Sequence, residues 1–226
     1  MSRSEEEASN IVSIKERNFR ATPPVYAPCF FISHGNTYKN QTFCIPSDGS
    51  YHVKSVPEMR GMGCRGSSYG WLIMQRYFSR ECHLFNPVTL NKIQLPPLPH
   101  DTFYIGALTY PPSDPKCVVM FFSEVENLCI FCRIGDGKWI EQEVKAQNSD
   151  KLVEDYMSAV SREGKIYLFL EDQVAIIDVR DNFACIELYE IKMPLWSVPT
   201  PIGFDSYFLE SCGEFFRVIK ISNFAG

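Results

Sequence analysis

The sequence has few features that suit a nucleic acid or a membrane as its main partner. Its formal net charge is −5, and no run of lysine or arginine is longer than a pair, which disfavours nucleic acid. Its apolar runs are far shorter than the roughly 20 residues that a membrane-spanning helix needs. Residues 1–7 have neither the apolar core of a secretory signal nor the acid-poor composition of a transit peptide. We therefore expect a cytoplasmic or nuclear protein that binds neither nucleic acid nor membrane.

The cysteines lack the even number and regular spacing of a disulfide framework. Nine are present, at positions 29, 44, 64, 82, 117, 129, 132, 185 and 212. Because no secretion signal directs the chain to an oxidising compartment, we expect reduced thiols, buried as small apolar side chains.

Aromatic residues, by contrast, are abundant. They make up 14% of the 226 residues, and phenylalanine alone occurs 17 times. Because aromatic side chains favour strands, this composition indicates a β-rich fold. Hydrophobic residues make up 45% of the chain, enough for one large all-β domain or two small ones.

Short hairpins recur along the chain at a nearly constant interval. First strands centre near positions 31, 72, 119, 168 and 208, and return strands near 43, 85, 130, 176 and 217; a more polar third strand follows. A period of roughly 40 to 50 residues is typical of propeller blades, whereas sandwich strands recur about every 8–12 residues without a longer period. The sequence thus predicts an all-β fold, a partial β-propeller of about five antiparallel blades with the last incomplete. It would span residues 23–226, after a polar arm at 1–22 that is disordered or a short helix.

Three motifs in the middle of the chain resemble one known family. They are Gly66–Leu72, Leu84–Thr89 and Ile93–Leu98. In order and spacing they are similar to the plant F-box-associated KIB-type β-propeller domain. Supporting matches extend the resemblance over roughly residues 21–221, at Ala21–Phe31, at Phe131–Asp136 with Trp139, and at Glu210–Glu214.

The resemblance implies a substrate-recognition module. Typical family members carry an F-box helical bundle that docks on the Skp-type adaptor of a cullin ubiquitin ligase, while the propeller presents a partner for ubiquitylation. No three-helix F-box pattern precedes Ala21, and the chain ends at Gly226, where family members usually continue. We therefore expect a protein–protein interaction module with an unknown protein partner and without direct docking on the adaptor. Two alternatives stay open: a propeller-based hydrolase with an acidic site in the central channel, and a non-functional truncated paralogue.

Two cysteine motifs could suggest chemistry, and strand geometry argues against both. Cys129 and Cys132 form a C-x-x-C, but they lie within a predicted strand, where residues three apart face opposite sides. They therefore cannot chelate one zinc ion, and no helix follows them as in thioredoxin-type sites. Cys82 and His83 are adjacent in another strand, so we expect their side chains to diverge as well. We predict no metal site and no cofactor.

Two glycine-rich motifs likewise predict no catalytic site. Gly66–Gly70 is similar to a serine nucleophile elbow, but a strand rather than a helix follows it. The glycines at 61, 63 and 66 match G-x-G-x-x-G, again without a following helix, and we interpret them as a flexible connection between blades. The four histidines show no ligand spacing, at His34, His52, His83 and His100. We predict that the protein is not an enzyme.

Two tryptophans are candidates for packing between blades or for binding a partner protein. Trp139 starts an outer strand, and we expect it to pack between blades. Trp196 lies in a proline-flanked loop, so it is our candidate for a partner-binding residue.

Overall fold

Strands account for nearly all of the regular structure. The computed structural model describes residues 30–34, 40–47, 50–56, 59–100, 104–123, 128–144, 158–170, 173–191, 204–211 and 213–221. Within these ranges there are 17 strands and no α-helix, so none of them holds a helix that could span a bilayer. The prediction of an all-β fold is confirmed. The predicted arm at 1–22 lies outside the described residues.

Sheet 1 belongs to the first of two compact units, residues 1–62. It contains three consecutive antiparallel strands, β1 (Phe30–His34), β2 (Asn40–Ser47) and β3 (Ser50–Ser55). The register places Phe31 opposite Phe43 and Cys44 opposite Val53.

The second unit, residues 63–226, holds the remaining sheets. Sheet 2 contains β4 (Met62–Ser68), which begins at the unit boundary, and β5 (Trp71–Arg76), β6 (Cys82–Phe85) and β7 (Lys92–Gln94). Sheet 3 contains β8 (Tyr104–Leu108), β9 (Val118–Ser123), β10 (Leu128–Arg133) and β11 (Ile140–Glu143). Sheet 4 contains β12 (Ser158–Arg162), β13 (Lys165–Phe169), β14 (Gln173–Arg180) and β15 (Phe183–Glu190). Sheet 5 pairs β16 (Phe204–Ser211) with β17 (Glu214–Ile221).

In each four-stranded sheet the chain crosses from one edge to the other in sequence order. The first strands of sheets 3, 4 and 5 are neighbours, since β12 lies against β8 on one side and β16 on the other. First strands that gather on one side while the sheets stack face to face are the arrangement of propeller blades.

Three seams between stacked sheets contain most of the described buried apolar residues of the second unit. We name each seam by the two sheets that form it. The 2–3 seam, between sheets 2 and 3, and the 3–4 seam are each filled by an apolar cluster, and the 4–5 seam holds a smaller one. Strand alternation explains how one strand serves two seams. In β10, for example, Ile130 and Cys132 face the 2–3 seam, whereas Cys129 and Phe131 face the 3–4 seam.

The sequence repeat omitted the first strand of sheets 2, 3 and 4, and the structure corrects this. The strands near positions 72, 119 and 168 are second strands, preceded by β4, β8 and β12. The 204–221 hairpin instead provides the first two strands of sheet 5, because β16 lies against β12. The interpretation of Gly61–Gly66 as a flexible connection was wrong, since Gly63 and Gly66 lie inside β4. Gly66 is required there because a Cβ atom would collide with the carbonyl oxygen of Gly106 in β8.

Candidate functional site

The connections that follow the first strands meet one another at one end of the second unit. They are two-residue turns after β4 and β12, the turn at Gly213 after β16, and a longer loop after β8. We call their residues the inner-turn surface: 69–70, 109–117, 163–164 and 213.

Each of these connections is fastened to the next. The Tyr69 hydroxyl donates a hydrogen bond to the Thr109 carbonyl at 2.8 Å. Tyr110 packs so closely over Gly164 that a Cβ atom there would collide with the tyrosine hydroxyl. The Arg162 guanidinium donates to the Gly213 carbonyl at 2.5 Å. The four connections therefore form one linked surface.

The two-residue turns have the backbone geometry that tight hairpins prefer. Tyr69 and Gly70 have φ values of 53° and 76°, and Glu163 and Gly164 have 51° and 79°. Two consecutive positive φ angles are typical of type I′ turns, whose twist matches that of the flanking strands. Tyr69 and Glu163 thus project from the end of the unit on short, constrained connections.

A hydroxyl network ties three first strands together beneath this surface. The Ser68 and Ser161 Oγ atoms lie 2.8 Å apart, and Ser68 Oγ also accepts a hydrogen bond from the Leu108 amide at 3.2 Å. Ser68 is buried, and the strand β5 follows its turn as predicted. This serine therefore supports the surface and has none of the exposure of a nucleophile.

The 109–117 loop is built from two successive turns. The Asp114 amide donates to the Pro111 carbonyl, and the Cys117 amide donates to the Asp114 carbonyl, both at 2.9 Å. The Asp114 carboxylate also accepts a hydrogen bond from the Lys116 amide at 2.8 Å. With prolines restricting the backbone, the loop presents the exposed residues Ser113, Pro115 and Lys116 in a defined geometry.

Glu210 and Glu163 at this end have different partners. The Glu210 carboxylate accepts a hydrogen bond from the Gly213 amide at 2.7 Å, and Glu163 lies 3.4 Å from the Arg162 guanidinium. Burial raises the pKa of the Tyr69 hydroxyl, and the nearby Tyr110 raises it further. The hydroxyl therefore keeps its proton and stays a hydrogen-bond donor. The arrangement provides an aromatic ring, an arginine and separate carboxylates, which is suited to binding another protein.

The predicted divergence of Cys129 and Cys132 is confirmed. Cys129 faces the 3–4 seam and Cys132 faces the 2–3 seam. Burial raises the pKa of Cys82 and Cys129 to about 12, so both thiols are protonated at neutral pH. Within the described ranges, no group of three or more histidine, cysteine, aspartate or glutamate residues is placed to hold a metal ion.

The two tryptophan predictions differ in outcome. Trp139 packs in the 2–3 seam as expected, with its ring edge-on to Phe121 at 5.4 Å between centroids. Its indole N–H donates to the Pro96 carbonyl at 3.0 Å. Trp196 lies outside the described residues.

Sequence reasoning missed Tyr69, Tyr110 and Arg162 as surface residues. One signal was present, because a glycine precedes the second strand in three sheets, at Gly70, Gly164 and Gly213. This shared glycine position would have predicted that the three connections lie at the same end of their sheets.

Comparison with known proteins identifies the family. The family model described as KIB1-4 beta-propeller matches residues 42–225. The chain belongs to this family. The predicted resemblance to a plant F-box-associated KIB-type propeller is thereby confirmed, and so is the partial propeller fold.

Two curated relatives, both from Arabidopsis thaliana, are F-box proteins. An F-box/kelch-repeat protein is 28% identical over 155 residues, which cover 66% of this chain and 42% of the relative. An F-box protein is 30% identical over 115 residues, 49% of this chain and 29% of the relative. This KIB1-4 propeller chain therefore matches less than half the length of either relative.

Among solved structures, the NanB sialidase of Streptococcus pneumoniae shares 14% identity with this chain. The match covers 75% of this chain and 30% of the sialidase, with a TM-score of 0.42. At that level the similarity carries no argument about activity.

Proposed function

We propose that this KIB1-4 propeller recognises a protein substrate for a ubiquitin ligase and holds it on the inner-turn surface. The observation that carries the proposal is the linkage of four connections through Tyr69, Tyr110 and Arg162. A surface that is rigid before binding loses less conformational entropy when a partner docks. Tyrosine and arginine are also the residue types that contribute most at protein interfaces.

The relatives support this proposal, since both are named F-box proteins. F-box bundles are helical, whereas the described part of this chain contains no α-helix. In our proposal, substrate binding by the propeller is therefore separate from docking on the Skp-type adaptor, and residues 23–226 do not contact the adaptor. The role that we propose is binding in the cytoplasm or nucleus, without catalysis. Glu163 is paired with Arg162, and Glu210 beside this surface accepts a hydrogen bond from the Gly213 amide.

Proximity labelling in plant cells tests the proposal with two matched lysine variants. Lys116→Glu reverses a charge on the inner-turn surface, and Lys138→Glu reverses another exposed charge in the connection between β10 and β11. We expect Lys116→Glu to reduce labelling of the main partner, and its affinity in a purified pair to fall about tenfold. Lys138→Glu should leave both unchanged.

Two results would contradict the proposal. Equal labelling by both variants and the parent chain would place the partner elsewhere on the propeller. Co-purification of the Skp-type adaptor with residues 23–226 alone would show that the propeller contacts the adaptor.

A further inference from the structure

The outer strand of sheet 4 is longer than the outer strands of the other two four-stranded sheets. β15 spans eight residues, whereas β7 spans three and β11 spans four. Each is the last strand of its sheet, so among the described residues no strand pairs with its outer edge. Long edge strands are rare in proteins because they pair readily with other chains. The length of β15 therefore marks this edge as a place where another chain could pair.

The Gln142 side chain shows which backbone groups of β15 point outward. The Ala184 amide donates to Gln142 Oε1, and Gln142 Nε2 donates to the Ala184 carbonyl, both at 2.8 Å. The side-chain amide thus binds the edge as a peptide group of an added strand would. Since backbone direction alternates along a strand, the amide and carbonyl groups of Ile186, Leu188 and Glu190 also point outward.

These three residues continue the edge beyond the contact with Gln142. Among the described residues, no backbone hydrogen bond uses the outward groups of Ile186 or Leu188. Their side chains pack against the 3–4 seam and are half-buried. A strand placed alongside would therefore find free backbone groups and an apolar strip on one face.

The other face of β15 is polar, aromatic and acidic. Tyr189 is 48% exposed, and its hydroxyl donates to the Glu187 carboxylate at 2.7 Å. Phe183 on this face is 58% exposed. Glu190 is exposed at the end of the strand, on the face that carries Ile186 and Leu188. β15 contains two glutamates and no lysine or arginine. Two copies of β15 side by side would bring like charges together, which disfavours self-pairing.

We propose that the β15 edge binds an extended segment of another protein, in which apolar residues alternate with lysine or arginine. The segment adds a fifth strand to sheet 4 along Ile186–Glu190, with the Gln142 amide bounding it at the Ala184 end. Its apolar side chains extend the strip formed by Ile186 and Leu188. Its basic side chains lie beside Glu187. Main-chain hydrogen bonds supply affinity and the alternating side chains supply selectivity, as in other strand-addition complexes.

A ten-residue peptide that alternates valine and lysine is the first probe. Its binding to the full chain is measured by fluorescence anisotropy, together with two forms that are N-methylated at either the valines or the lysines. In an extended peptide only one of these sets of amides faces β15. We expect one form to bind roughly fivefold to a hundredfold more weakly than the parent peptide and the other to bind nearly as well. Equal effects of the two methylations, or no binding at millimolar peptide, would overturn the proposal.

Variants of the protein test the edge from its own side. Glu190→Pro removes an outward amide without removing a hydrogen bond to β14, and Glu190→Gln removes the same charge but keeps the amide. We expect Glu190→Pro to bind the probe more weakly than Glu190→Gln. Glu187→Lys should weaken binding of the lysine peptide about fivefold and favour a valine–glutamate peptide.

Further measurements distinguish this edge from the inner-turn surface and from self-association. Lys116→Glu, on the inner-turn surface, should leave peptide binding unchanged, so failure here is distinct from failure of the proposed function. Equal binding by Glu190→Pro and Glu190→Gln would overturn strand addition. A dimer in sedimentation analysis that Glu187→Lys strengthens would place a second copy on the edge, which also contradicts the proposal.

Discussion

The 2–3 seam and the 4–5 seam differ in the side chains that fill them, among the residues whose burial the structure describes. Among the described residues, the 2–3 seam contains eleven buried hydrophobic residues and the 4–5 seam contains three. The first lies between two four-stranded sheets, whereas the second joins a four-stranded sheet to a hairpin. The two seams therefore differ in the number of strands that face each other.

The 4–5 seam relies instead on aromatic rings that are partly exposed. Phe208 stacks on Phe169 with 3.9 Å between ring centroids and an interplanar angle of 1°. Phe215 contacts Phe169 edge-on at 5.4 Å, and the Arg162 guanidinium lies 5.7 Å from the Phe215 ring centre. Since each sheet packs its apolar side chains mainly against the adjacent sheets, the stability of such an array is close to a sum over seams. The two seams should then differ in what a single truncation costs.

The largest expected effect comes from truncating a ring in the 2–3 seam. Phe121 is fully buried there, so we expect Phe121→Ala to lower the free energy of unfolding by about 4 kcal/mol. The matched change in the 4–5 seam, Phe208→Ala, should cost about 2 kcal/mol or less, because that ring is only partly buried. Urea denaturation followed by tryptophan fluorescence measures both. If the two variants lost equal free energy of unfolding, the burial of Phe121 and Phe208 would not determine what their truncation costs.

A backbone contact beneath the 2–3 seam should give the next largest effect. Gly66→Ala places a Cβ atom against the Gly106 carbonyl, and a backbone atom cannot move aside as a flexible side chain can. We expect a loss of about 3 kcal/mol in the free energy of unfolding. Gly137→Ala is the control, because a Cβ atom there would have open space. If both variants unfold at the same urea concentration, β4 and β8 do not approach as closely as described.

The sequence predicted the features that depend on local pattern. The hairpin period revealed the stacked sheets, and strand alternation separated Cys129 from Cys132. It missed β4 and β8 as the first strands of their sheets. Both contain glycine where the chains cross, at Gly66 and Gly106, so neither shows the apolar alternation that marks a half-buried strand.

The candidate site was beyond the reach of local pattern for a different reason. Tyr69 and Thr109 are 40 residues apart in sequence, and Ser68 and Ser161 are 93 apart. Such pairs become neighbours only when the sheets stack, and no spacing rule connects them. The exposed tyrosine and the arginine that fasten the inner-turn surface therefore became visible only in three dimensions.

The smallest expected effect concerns pH and belongs to sheet 2. His83 is buried, and within the described residues its Nδ1 atom has no hydrogen-bond partner. Burial, with a further contribution from the positive charge of Lys92, lowers its pKa from 6.5 to about 4. The unfolded chain thus binds a proton below pH 6.5 that the folded chain accepts only near pH 4.

The stability that His83 contributes is therefore complete above pH 6.5 and is lost as the pH falls toward 4. We expect a loss of about 2 kcal/mol by pH 5 from this residue. Urea denaturation of the parent chain and of His83→Gln at pH 7 and pH 5 measures it, because glutamine does not titrate and should give a smaller decrease. If the free energy of unfolding fell equally in both proteins between pH 7 and pH 5, groups other than His83 would cause the acid sensitivity.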